Sequence, residues 1–120
     1  MPNSMMRTYS VAFLIASLLL LSLSVTASEP ANEARPAPQL YRRYCVSCHG
    51  TDGRSTTAKG KHSHARDLTD AQWHDDVTDE RIFNSIMNGR NVRGNMPSFS
   101  NKLNEKEVDS LVTYVRKFKG

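Results

Sequence analysis

Cys45-Val46-Ser47-Cys48-His49 contains both cysteines of the chain and is completed by a histidine. Residues three apart share one face of a helical turn, so the two sulfurs emerge side by side. With the adjoining imidazole, that spacing reads as an attachment point for a c-type haem, two thioethers to one porphyrin and His49 toward the iron. Three other uses fit less well. A zinc site needs four ligands; His62 or His64 could supply what is missing, but nothing repeats a paired-ligand spacing. A thioredoxin-like pair opens a helix after a buried strand, whereas Gln39-Leu40-Tyr41-Arg42-Arg43-Tyr44 reads as half-polar helix. A disulfide from Cys45 to Cys48 closes so short a loop that it adds little stability.

Thioether attachment belongs outside the bacterial cytoplasm, and the N-terminus is consistent with export. Val11 to Val25 is apolar or small throughout, is preceded by Arg7 and ends in Val25-Thr26-Ala27. The pattern predicts a signal peptide over residues 1–27, cleaved after Ala27, and a periplasmic protein with no stable membrane span in its mature form. An uncleaved anchor facing the periplasm is the alternative, although the apolar stretch falls short of the roughly 20 residues that span a bilayer. Residues 28–38, rich in Pro, Ala and Glu, read as a flexible tether, and residues 39–120 as one domain.

So small a domain is near the limit at which an apolar core suffices, and a covalently held porphyrin would form the core's centre. The apoprotein is therefore expected to fold poorly. The formal charge of +4 lacks the strongly basic face of a nucleic-acid binder.

The rest of the chain reads as all-α. A first helix begins near Pro38, carries Leu40, Tyr41 and Tyr44, and ends at Gly50 and Gly53. Thr69 with Gln72 suggests a capping box for a short second helix with Leu68 and Trp73. Thr78 caps a third, with Asp79 and Glu80 in its first turn, Val77 stapled onto Ile82, and a stripe of Ile82, Phe83, Ile86 and Met87 ending at Gly89. Asn104 caps the last, with Glu107 three residues on, Leu103 stapled onto Val108, and a stripe of Val108, Leu111, Val112, Val115 and Phe118.

Met96 is the candidate for the iron's second axial position. Its segment, Asn88 to Phe99, has too much Gly and Asn for regular structure, and Pro97 forces Met96 into extended backbone. A thioether opposite an imidazole is the ligand set of electron-transfer cytochromes. Met87 continues a helical stripe and reads as core. His62, His64 and His74, near Lys61, Arg66 and Asp75, read as solvated surface rather than rival ligands.

From about Leu40 to Phe118 the chain resembles the small class I cytochromes c, in particular the bacterial monohaem kind. The resemblance is carried by Tyr41 four residues before Cys45, by Gly50 after the motif, by the Met96-Pro97 pair, and by Leu111 and Tyr114 in the last helix. It implies three to five helices around one covalently bound haem c, and contact between Tyr41 and Leu111, Tyr114 or Val115. One departure stands out. Many such cytochromes have a proline after the motif whose carbonyl receives the proximal imidazole N–H; none occurs here between His49 and Pro97. A ligating histidine still needs an acceptor, and a backbone carbonyl between Gly60 and Arg66 is expected to serve. Trp73 packs in the core or bonds a propionate.

The expected role is outer-sphere transfer of single electrons between a donor and an acceptor redox protein, membrane-bound or periplasmic oxidoreductases, by a monomer that is not itself an enzyme. Leu68, Ile82, Ile86 and Phe99 would enclose the ring, and Arg42, Arg43, Arg90, Arg93 and Lys102 would meet an acidic partner. Two alternatives remain. One is a haem enzyme or gas sensor with a labile sixth ligand; the other is the cytochrome subunit of a larger dehydrogenase or oxidase.

Overall fold

The computed structural model describes Glu33–Gly120. The expected signal peptide and the first part of the expected tether lie outside the described residues. Within them the chain is helical, and no helix is long and apolar enough to cross a membrane. The elements are α1 (Ala37–Tyr44), α2 (Val46–His49), α3 (Ala58–His62), α4 (Ala71–Asp76), α5 (Asp79–Asn88) and α6 (Glu105–Arg116). The sole β feature among these residues is an isolated antiparallel bridge between Arg90 and Met96. The all-α expectation holds.

Helix starts follow the capping signals closely. Thr78 accepts from the Arg81 N–H to open α5. Asn104 and Glu107 form the reciprocal capping box of α6. Two starts differ from expectation. For α4 the cap is Asp70, accepting from the Trp73 N–H. Thr69 is instead drawn into a turn, both its N–H and hydroxyl donating to Asp67. The one helix expected across the motif is two, α1 and α2, divided at Cys45. The extra helix α3 opens at Thr57, whose hydroxyl accepts from the Gly60 N–H.

α1 packs on α6, α5 packs on α6, and α2 packs on α3. At the first of these contacts Leu40 and Leu111 are almost completely buried, with Tyr41, Val108 and Val115 beside them. Burying each such aliphatic side chain contributes roughly 1.5–3 kcal/mol. The Tyr41 ring lies 5.2 Å from Tyr114 and 5.1 Å from Phe118, and its hydroxyl donates to the Gly50 carbonyl at 2.9 Å. The contact expected of Tyr41 with the last helix is therefore present. It also ties the end of the motif helix to the α1–α6 crossing.

Part of the expected tether is ordered. Arg35 bonds Glu107 through its backbone N–H and its guanidinium, and α1 begins at Ala37. His74 also departs from the sequence reading: it is buried, not solvated. Its Nε2 lies 2.7 Å from the Leu68 carbonyl, and Arg116 donates to its backbone carbonyl at 2.7 Å. Arg116 also reaches the Val77 carbonyl and Asp79, each at 2.7 Å, and so clamps the α4–α5 junction to the end of α6. His62 and His64 are exposed, as expected.

Candidate haem site

Cys45 and Cys48 are free thiols, each partly buried. The helical bonds of the turn continue through them, with the His49 N–H donating to the Cys45 carbonyl at 2.9 Å. Both therefore lie on one short helical turn, as their spacing requires. Burial, with Cys48 beside it, pushes the Cys45 thiol up to about 12. Among the described residues no three His, Cys, Asp or Glu side chains gather as a metal-binding group, so a tetrahedral zinc site lacks donors there.

The His49 ring is fixed from one side. Its Nδ1 lies 2.9 Å from the Arg66 carbonyl and 3.2 Å from the Ser55 hydroxyl. A carbonyl can only accept, so Nδ1 carries the proton and Nε2 keeps a lone pair. Among the described residues nothing bonds Nε2. Burial holds the imidazolium below its ordinary range, opposed by the Arg66 carbonyl, so the ring is the neutral species a metal takes. Arg66 lies within the stretch in which an orienting carbonyl was expected, and its acceptor role supplies what the missing proline would have given.

Three further residues of this region lie outside the sequence expectations. Ser55 is buried at positive φ, and its hydroxyl donates to the same Arg66 carbonyl at 2.5 Å. Thr57 donates to the Ser47 carbonyl at 2.8 Å and the Cys48 carbonyl at 3.1 Å while capping α3. A threonine ahead of an Ala-Lys run was the available signal for that cap. Gly60 lets α3 lie directly on the motif: a Cβ there would stand 2.1 Å from the Cys48 carbonyl oxygen.

Met96 sits in a loop closed at its base by paired backbone bonds with Arg90, 2.8 and 2.9 Å long. The neighbouring Asn95 N–H donates to the Ser63 carbonyl at 2.8 Å. Gly94 passes so close to the turn at Ser63 and His64 that a Cβ would come within 2.7 Å of the His64 carbonyl oxygen. Beyond Met96, the Phe99 N–H donates to the Ile86 carbonyl at 3.0 Å. The loop is thus tied to both α5 and the turn after α3. Its extended backbone at Met96 agrees with the effect of Pro97.

Met96, Met87, Cys45, Val46 and Trp73 are all partly buried against the same core, which includes Leu68, Ile82, Ile86 and Phe99. A flat apolar group fits this setting: adjacent thiols, a neutral imidazole with an open lone pair, and incompletely covered apolar side chains. Trp73 contacts the His74 ring edge-on at 4.7 Å. Arg42, Arg43, Arg90, Arg93 and Lys102 are exposed.

Helices without strands among the described residues, together with similarity to a solved c-type cytochrome, define the class: this is a small class I c-type cytochrome. Residues 32–115 match the family described as cytochrome c oxidase, cbb3-type, subunit III, and the chain belongs to that family. Among curated proteins it is similar to the cbb3-type cytochrome c oxidase subunit CcoP of Azospirillum brasilense, 29% identical over 84% of this chain and 33% of that one. The corresponding CcoP of Rhodobacter capsulatus is 32% identical over 78% of this chain and 33% of its own length. The chain thus spans about a third of the length of the curated relatives it matches. The solved KustC0563 c-type cytochrome is 38% identical, with a TM-score of 0.66 over 72% of this chain and 100% of that one.

Proposed function

We propose that this chain is an exported monohaem cytochrome carrying single electrons between redox proteins by outer-sphere transfer. The observation that carries the reading is the motif turn, where two free thiols adjoin an imidazole whose Nδ1 is held by the Arg66 carbonyl at 2.9 Å. Cys45 and Cys48 would hold one haem c per chain through thioethers, His49 would be its proximal ligand and Met96 its distal ligand. When bound, haem c supplies a one-electron ferric–ferrous couple.

The protein's own tasks are to keep the His49 and Met96 side chains in place and to shield the apolar group they would hold. His49 is held by Arg66 and Ser55, and the Met96 loop by Arg90 and Ser63. One electron arrives from a reduced protein and leaves to an oxidised one, with no bond made or broken in the chain. Exposed Arg42, Arg43, Arg90, Arg93 and Lys102 favour partners with acidic docking faces. Val92, 72% exposed between Arg90 and Arg93, adds an apolar contact at the loop tip.

The domain plan is a leader over residues 1–27, a segment to residue 38 and the cytochrome domain from residue 39, acting as a monomer in the periplasm. Membrane or periplasmic oxidoreductases are its donor and acceptor. A second reading, a subunit of a larger oxidase, is favoured by the description of the relatives as oxidase subunits. It changes the company and not the chemistry.

Spectroscopy of the exported protein beside Met96→Ala tests the reading. Low-spin spectra in both oxidation states are expected, with a methionine-to-iron charge-transfer band that the substitution removes. Ready binding of carbon monoxide by the reduced unsubstituted protein would favour an enzyme or gas sensor instead.

A further inference from the structure

The Arg66 carbonyl receives two donors. His49 Nδ1 approaches it to 2.9 Å and the Ser55 hydroxyl to 2.5 Å, while Ser55 Oγ itself lies 3.2 Å from Nδ1. Ser55 is buried, with φ of 57°, and its N–H donates to the His49 carbonyl at 2.9 Å. Left-handed backbone favours Gly or Asn, so the main chain does not account for a serine here. The hydroxyl does.

We infer that Ser55 is a positioning residue that sets how strongly His49 donates to iron, and thereby raises the reduction potential of the haem. The inference rests on the proposed ligation by His49. Ser55 Oγ, 3.2 Å from Nδ1, is a longer and poorer acceptor for the imidazole proton than the Arg66 oxygen at 2.9 Å. An oxygen shared with the closer hydroxyl donor at 2.5 Å gives less to Nδ1–H, so on balance the hydroxyl weakens the hydrogen bonding of the imidazole. A partner on the far nitrogen raises the basicity of a ligating imidazole, and weakening that bond lowers it. A poorer donor stabilises ferric iron less than a strong one, which favours the ferrous state. The Arg66 carbonyl orients the ring, and Ser55 moderates the electronic consequence.

Spectroelectrochemical titration of the haem-loaded protein beside Ser55→Ala and Ser55→Gly tests this. Both variants should shift to lower potential while keeping the low-spin spectrum, and the His49 Nδ1–H resonance of the reduced protein should move downfield. A packing role alone would lower the melting temperature and leave both readouts in place. An unchanged or raised potential in either variant overturns the inference. In the reduced unsubstituted protein the Ser55 hydroxyl proton should show a nuclear Overhauser contact with the Nδ1 proton. Its absence overturns the inference even if neither variant takes up haem. The underlying ligation fails separately, through a His49→Ala protein that retains the unsubstituted spectrum.

Discussion

Arg35 grips the Glu107 carboxylate across 72 residues of sequence, its Nε on Oε1 at 2.6 Å and its Nη2 on Oε2 at 2.9 Å. The Arg35 backbone N–H adds a third bond and the Asn104 N–H a fourth, at 3.2 and 3.1 Å. One buried carboxylate therefore completes the capping box of α6 and fastens the segment leading into α1. Planar two-point pairing of this kind is the strongest geometry open to an ion pair.

Acid should undo this fastening. The Arg35 guanidinium, against the cost of burial, holds the Glu107 carboxyl down to about 2 from its usual 4.5. Because the folded value is the lower one, the resulting stability is complete above about pH 4.5 and is lost as pH falls toward 2. Arg35→Ala is expected to raise the midpoint of acid unfolding and to flatten the dependence of stability on pH in that window. Circular dichroism of the haem-loaded protein across pH 2 to 6 measures it.

Residues whose role is local were legible in the sequence; those whose role depends on crossing elements were not. Thr78 and Asn104 announced their helices because a cap and its first turn are neighbours in sequence. Tyr41 could be placed against Tyr114 because family resemblance carried that long-range contact. Arg116 gave no such sign, since its acceptors on His74, Val77 and Asp79 lie about 40 residues away. The same holds for His74, whose charged neighbour Asp75 suggested a surface position. Of the candidate site, the motif and the Met96 loop could be singled out from sequence alone, while the carbonyl facing His49 was confined only to a range and Ser55 was missed. Nothing in a lone serine reveals that the chain will fold it onto an imidazole.

Gly60→Ala should damage the motif without touching it. The new methyl would fall 2.1 Å from the Cys48 carbonyl oxygen and 2.8 Å from that of Ser55. Neither backbone atom can swing aside as a side chain would, so α3 must lift from α2. Overpacking typically costs about 1–3 kcal/mol, and the shift should also disturb presentation of the thiols. The expected result is a lower denaturation midpoint together with a smaller yield of covalently attached haem, read by haem staining of denatured protein.

Arg116→Ala should loosen the α4–α5 junction. The guanidinium donates at 2.7 Å to the His74 and Val77 carbonyls and to Asp79, and it lies 3.3 Å from His74 Nδ1. An arginine can only donate, so Nδ1 accepts and the Nε2 proton goes to the Leu68 carbonyl. Bonds from a charged donor are worth about 1.5–3 kcal/mol each in favourable cases. Allowing for replacement by water at this partly exposed group, the substitution should cost about 2 kcal/mol. Amide exchange should accelerate first at Leu68 to Val77, ahead of the α1–α6 crossing, and uniform acceleration throughout the domain would contradict the assignment of a local clamp.

At Tyr41 the ring and the hydroxyl can be separated by two substitutions. The ring is buried at 2% exposure between Tyr114 and Phe118, and the hydroxyl bonds the Gly50 carbonyl at 2.9 Å. Removing the hydroxyl in Tyr41→Phe preserves the ring contacts. The Gly50 carbonyl keeps its 3.4 Å contact with the Gly53 N–H, so the loss should be about 1 kcal/mol. Tyr41→Ala also empties the space between α1 and α6, and truncations of large buried rings cost about 3–5 kcal/mol. Chemical denaturation of the two haem-loaded variants should therefore give a severalfold difference in lost stability. Equal losses would mean that the hydroxyl, by anchoring the end of the motif helix at Gly50, matters as much as the aromatic packing that surrounds it.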